Sequence, residues 1–108
     1  MEDKPVINIV ATRCQPQDEE KFNLWYNEVH IPMLLKSKRL TGVIRCKDMN
    51  SSSKLPQYIA IYKFANQKDF EEYKKSAELA AAIEEMQGTW ADRIELTSRT
   101  QYELIKEW

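Results

Sequence analysis

Histidine occurs once in this chain, at position 30, inside the stretch Phe22-Asn23-Leu24-Trp25-Tyr26-Asn27-Glu28-Val29-His30-Ile31-Pro32-Met33-Leu34-Leu35. Its unperturbed pKa, about 6.5, makes it the one side chain here able to act as both acid and base near neutrality. Phe22, Trp25, Tyr26, Val29 and Met33 fall at helical spacing and form one apolar stripe. His30 lies one turn after Tyr26, on the edge of that stripe. An imidazole in such a place can take a proton alpha to a carbonyl, a step that needs no cofactor. It can equally cap a helix C-terminus, where a cation suits the dipole. Tyr26, Tyr58 and Tyr62 can orient a carbonyl or phenol through their hydroxyls, or serve as aromatic packing. Arg45 can bind a carboxylate, or simply pair with an acid or water. Trp25 reads as packing beside the pocket wall.

The elements that must position these groups follow from periodicity and punctuation. Val6 to Arg13 reads as a first strand. Gln15-Pro16-Gln17-Asp18 closes it and opens a helix with acids in its first turn. That helix is expected to run to His30 and to break or kink at His30–Ile31, because Pro32 follows. Met33 to Ser37 is a short continuation. Thr41-Gly42 is expected to turn into a second strand, Val43 to Asp48. Asn50 to Lys54 is a soft, serine-rich loop, and Gln57 to Phe64 a third strand. Asn66 caps a second helix, with Asp69 three residues on. This helix runs toward Met86, with a break expected near Ser76 and Gly88 as its stop. Ala91 to Lys106 is a long last strand. Ile94, Leu96, Tyr102 and Leu104 point one way; Arg93, Glu95, Arg99, Gln101 and Glu103 point the other.

Strand, helix, strand, strand, helix, strand is the split βαβ, ferredoxin-like order, an α+β fold with a four-stranded antiparallel sheet. Right-handed crossovers place strands one and three in the centre. Two helices cover one face of such a sheet, yet both central strands are apolar on both sides. If Tyr58, Tyr62 and Phe64 lie on the uncovered face, they form a large apolar patch. A second copy packed sheet to sheet, a homodimer, would cover it. The end of the last strand, Glu103 to Trp108, is long enough to cross to that partner.

Composition narrows the classes. The chain has 108 residues, 43% hydrophobic and 31% charged, with a net charge of −1. That is one ordinary globular domain, 1–108. Interspersed charge argues against nucleic acid, and no apolar run approaches the ~20 residues of a membrane span. The start, Met1-Glu2-Asp3-Lys4-Pro5-Val6, lacks the form of a signal peptide. Cys14 and Cys46 lie far apart with no metal spacing, so two thiols in a reducing, cytoplasmic setting are expected, with no metal site. Two glycines exclude a Gly-rich phosphate cradle.

Trp25-Tyr26-Asn27-Glu28-Val29-His30-Ile31-Pro32, then Gly42-Val43-Ile44-Arg45, then Tyr58-Ile59-Ala60-Ile61-Tyr62-Lys63-Phe64, resembles the EthD-like family (ethyl tert-butyl ether degradation protein) of the dimeric α+β barrel superfamily. Arg99 to Glu103 fits its closing strand. The resemblance implies two sheets facing each other in a dimer, a ligand cavity in each protomer, and the family's helix-one histidine at His30. Relatives include cofactor-free cyclases, dehydratases, lactone isomerases, monooxygenases and haem-degrading enzymes. Asn8 resembles the strand-one asparagine of the haem-degrading members. Those carry their histidine on the second helix, where this chain has none, so no haem and no other cofactor is expected. Two functions result. One is a small cofactor-independent enzyme on a hydrophobic, oxygenated metabolite, with His30 and Tyr26 as catalytic residues and Trp25, Arg45, Tyr58 and Tyr62 binding the substrate. The other is a non-catalytic dimer that binds a small hydrophobic or aromatic molecule, or serves an oxygenase.

Overall fold

The computed structural model describes residues 4–50 and 54–108; Ser51 to Ser53, the middle of the expected soft loop, and the first three residues of the chain start lie outside them. Strand β1 spans Val6–Cys14, β2 Leu40–Lys47, β3 Tyr58–Phe64 and β4 Ile94–Glu103. They form one antiparallel sheet in the order β2-β3-β1-β4, with β1 and β3 central as expected. The helices are α1 Glu19–Trp25, a π turn Tyr26–His30, α2 Ile31–Leu35, α3 Gln67–Lys74 and α4 Ala77–Trp90. This is the ferredoxin-like α+β fold.

The first helix does not break at Pro32. Ile31 stays helical at φ −61, ψ −46, and its N–H reaches back five residues to the carbonyl of Tyr26. Proline supplies no N–H and its ring crowds the carbonyl one turn back. The widened π turn absorbs that conflict, so helix runs on through Leu35. The break near Ser76 does occur, and Ser76 Oγ caps α4 by accepting from the Leu79 N–H at 3.1 Å. Asn66 caps α3 in the same way, accepting from the Asp69 N–H at 2.8 Å. Gly88 does not stop α4, which continues to Trp90 before Ala91 leaves the helix at φ 52. Nor do Thr41 and Gly42 turn. They belong to β2, and the chain reverses earlier, with Lys38 at φ 64.

Two expectations about faces are corrected. Tyr58, Tyr62 and Phe64 are not on the uncovered side; they are 3%, 3% and 0% exposed, against the helices. Their ladder partners Thr12, Asn8 and Val6 share that side. The other side carries Ile7, Ile9, Ile59 and Ile61, with Ile44 and Tyr102 45% and 54% exposed. The last strand also changes phase. Ala11 pairs with Ser98 but Thr12 pairs with Leu96, which leaves Thr97 as the extra residue of a β-bulge. Ile94 and Leu96 therefore lie beside Cys14 and Thr12 under the helices, while Tyr102 faces the open side with Ile7. Arg99 and Gln101 fall level with Val10 and Asn8 on the helix side, opposite to the simple alternation. β4 ends at Glu103, and Ile105 and Trp108 beyond it are exposed.

The core lies between the sheet and the helices. Phe22, fully buried, is its hub: its ring meets those of Trp25, Tyr26, Tyr58 and Trp90 at centroid distances of 5.4–6.3 Å.

Candidate functional site

Where the π turn crosses the sheet, the layers enclose a cavity of about 280 Å³. That is just below the ~300–1,000 Å³ typical of ligand pockets. Trp25, Tyr26 and His30 from the first helix line it, with Tyr62 from β3, Phe70 and Tyr73 from α3, and Asn8 from β1. Of the helical stripe read from the sequence, Phe22, Trp25 and Tyr26 become its wall; Val29, 37% exposed, and Met33 do not line it.

His30 is 7% exposed. Its ring stacks on Trp25 at 4.9 Å and meets Tyr26 edge-on at 4.9 Å. It caps no helix, because helix continues past it. Its Nδ1 is fully buried and has no hydrogen-bond partner among the described residues. Burial in this aromatic setting lowers the imidazole pKa to about 4, only partly opposed by the nearby Glu85 carboxylate. The ring is therefore neutral at pH 7. Glu85 itself accepts from Trp25 Nε1–H at 2.9 Å and so fixes the indole against which the imidazole lies.

Tyr26 and Tyr62 share a hydrogen bond of 2.7 Å between their hydroxyls. Burial raises the pKa of both, Tyr62 well above its ordinary value. Two hydroxyls joined by one hydrogen bond keep one O–H proton in reserve. Opposite them, Gln101 Nε2–H donates to Asn8 Oδ1 at 2.7 Å.

The structure brings His30, Tyr26, Trp25 and Tyr62 together and sets Arg45 and Tyr58 apart, since neither lines the cavity. Arg45 lies over the outer face of the Tyr26 ring at 4.1 Å and donates to Asn27 Oδ1 at 2.8 Å and to Asn23 Oδ1 at 2.9 Å. The Tyr58 hydroxyl donates to the Glu19 carboxylate and accepts from Asn23 Nδ2–H at 3.0 Å. Tyr58 first, and Lys47 at 2.9 Å after it, hold the Glu19 carboxyl below its usual pKa. These groups clamp α1 onto β2 and β3. Sequence reasoning missed Tyr73, Gln101 and Arg99 as lining residues. The aromatic pair Phe70 and Tyr73, three apart on α3, was a readable signal for the first. Nothing in the residue types announces the bulge that sets the other two, both still exposed, on the helix side of β4.

The family model described as a domain of unknown function, DUF4286, matches residues 6–105. No curated protein matches the sequence. Among solved structures, the chain is similar to an ethyl tert-butyl ether degradation (EthD) family protein from Bacillus halodurans C-125. The two are 14% identical with a TM-score of 0.67, over 88% of this chain and 96% of that one. It is also similar to MhuD with manganese protoporphyrin IX bound, at 12% identity and a TM-score of 0.73, covering 95% and 97%. A dimeric protein of unknown function and ferredoxin-like fold from Bacteroides fragilis matches at 18% identity and 0.65, covering 93% and 96%. At such identities the likeness carries the fold. No helix among the described residues is long and apolar enough to cross a membrane.

Proposed function

The chain belongs to the DUF4286 family, and from there we propose that it is an EthD-like, cofactor-independent enzyme that moves a proton on a small hydrophobic, oxygenated metabolite bound in the cavity. The observation that carries this reading is His30: a buried, neutral imidazole with an unpartnered Nδ1 in an apolar, aromatic cavity. A buried polar atom left without a partner loses roughly 1–3 kcal/mol, and a ligand polar group restores it. The imidazole takes a proton from the carbon alpha to a carbonyl. The C–H electron pair moves onto the carbonyl oxygen as an enolate. The spare O–H of the Tyr26–Tyr62 pair donates to that oxygen as charge builds on it. Return of the proton elsewhere gives an isomer; loss of a beta leaving group gives a dehydration. His30 and Tyr26 are the catalytic residues of this scheme, Tyr62 and Trp25 bind the substrate, and Arg45 and Tyr58 act as positioning residues behind Tyr26.

A panel of cyclic ketones and lactones in deuterated buffer tests it. Proton NMR should show alpha-hydrogen exchange that falls at least a hundredfold in His30→Gln, while affinity for the same compound changes little. The low pKa of His30 also suits the second reading, a non-catalytic binder in which the imidazole only accepts or donates a hydrogen bond. Under that reading no compound exchanges, and His30→Gln alters affinity alone.

One domain runs over 1–108 in this reading and pairs with a second copy through the open sheet face. Apolar Ile44 and Tyr102 there, and Ile105 and Trp108 in the exposed tail, support that pairing. A stable monomer at micromolar concentration by sedimentation equilibrium would sink the paired-sheet arrangement. Two free thiols, Cys14 and Cys46, suit a cytoplasmic setting.

A further inference from the structure

We propose that the ligand of the His30 cavity is an aromatic carboxylate whose anion is held by the guanidinium of Arg99; this rests on the reading of the cavity as a ligand site. Three observations carry it. The bulge at Thr97 turns Arg99 to the helix side of β4, where, itself exposed, it lines the open edge of the cavity level with Val10. Its charge reaches the Tyr73 hydroxyl on the facing helix α3. Among the described residues Arg99 makes no ion pair and no side-chain hydrogen bond, whereas every other cation near the cavity is engaged. Lys74 pairs with Glu71 at 3.1 Å and lies over the Phe70 ring. Arg45 is spent on Asn23 and Asn27.

The sign of the site agrees. No Asp or Glu is among the lining residues, while Arg99 and Lys74 are. His30 adds no charge at neutral pH. The remaining wall is apolar and aromatic, through Trp25, Phe70, Leu79 and Ile83. A ligand that matches it has a flat apolar body and one anionic end. The planar guanidinium presents parallel N–H donors that fit the two oxygens of a carboxylate. The body then lies between Arg99 and His30, which sets the reacting carbon at the end opposite the anion.

Isothermal titration with 2-naphthoate and its neutral isostere 2-naphthamide decides the matter. The native protein should prefer the acid by about ten- to a hundredfold, the range expected of a hydrogen bond to a charged group. In Arg99→Gln the preference should vanish, with affinity for the amide unchanged. Arg99→Lys should restore part of it, since charge returns without the fork. Equal binding of acid and amide by the native protein overturns the proposal. So does an acid preference that survives Arg99→Gln. If neither probe binds, the cavity reading itself fails and takes this proposal with it, an outcome distinct from amide binding without acid preference.

Discussion

The two faces of the sheet are made of the same kind of residue and meet different fates. On one, Val6, Tyr58, Ala60, Tyr62 and Phe64 lie under the chain's own helices and are at most 4% exposed. On the other, Ile7, Ile9, Ile59 and Ile61 are half-buried and Ile44 is 45% exposed. The covered face also contains the polar Asn8 and Thr12, and His30 meets it from the helix layer, each buried. The open face is aliphatic along its centre. Burial by one's own helices permits a cavity with polar equipment. A flat aliphatic surface suits packing against an identical one. In the proposed reading, chemistry and assembly fall on opposite sides of one sheet.

The sharpest way to break the contrast is at the hub of the covered face. Phe22→Ala should destabilise the fold by about 3–5 kcal/mol in urea titration, since a fully buried ring is lost where the helices cannot close the void. Next comes pH. His30 has a folded pKa of about 4 against about 6.5 unfolded, so the unfolded chain binds a proton first as pH falls. Stability is full above pH 6.5 and declines through the window from 6.5 down to 4, by about 3 kcal/mol. In His30→Gln that part of the pH dependence should disappear.

The open face should respond in the opposite manner. Ile61→Lys should raise the dimer dissociation constant by about a hundredfold or more, roughly 2–3 kcal/mol, with the protomer's own stability shifted by about 0.5 kcal/mol. Equal loss of monomer stability in this variant would erase the distinction between the faces. The smallest effect is expected at Tyr62→Phe. It removes the 2.7 Å hydroxyl pair and should destabilise by about 1 kcal/mol.

Much of this arrangement is legible in the residues. The strand–helix order, the central strands, the cap at Asn66 and the break near Ser76 follow from periodicity and residue type. His30 beside an aromatic stripe was readable too. The covered face was not, because β1 and β3 are apolar on both sides and alternation cannot say which side the helices take. The stop expected at Gly88 and the turn expected at Gly42 are absent, since glycine permits such features without requiring them. The chain instead reverses through Lys38 and Ala91, both at positive φ. The phase change in β4 rests on Thr97, a residue at home in any strand. With it went the placement of Arg99 and Gln101. Arg45 had the right chemistry for an anion, but Asn23 and Asn27 on the adjoining helix turn hold its donors, a contact that sequence separation hides.

The π turn between Tyr26 and His30 also sets what the chain tolerates. Its surplus residue looks simple to remove. Deletion within the turn would return it to ordinary winding and leave Leu34, only 2% exposed, in the core. Pro32 would then crowd the carbonyl one turn back in an unwidened helix, at a cost of about 3 kcal/mol. The surplus residue is the allowance that lets one uninterrupted helix carry both Pro32 and the imidazole that lines the cavity.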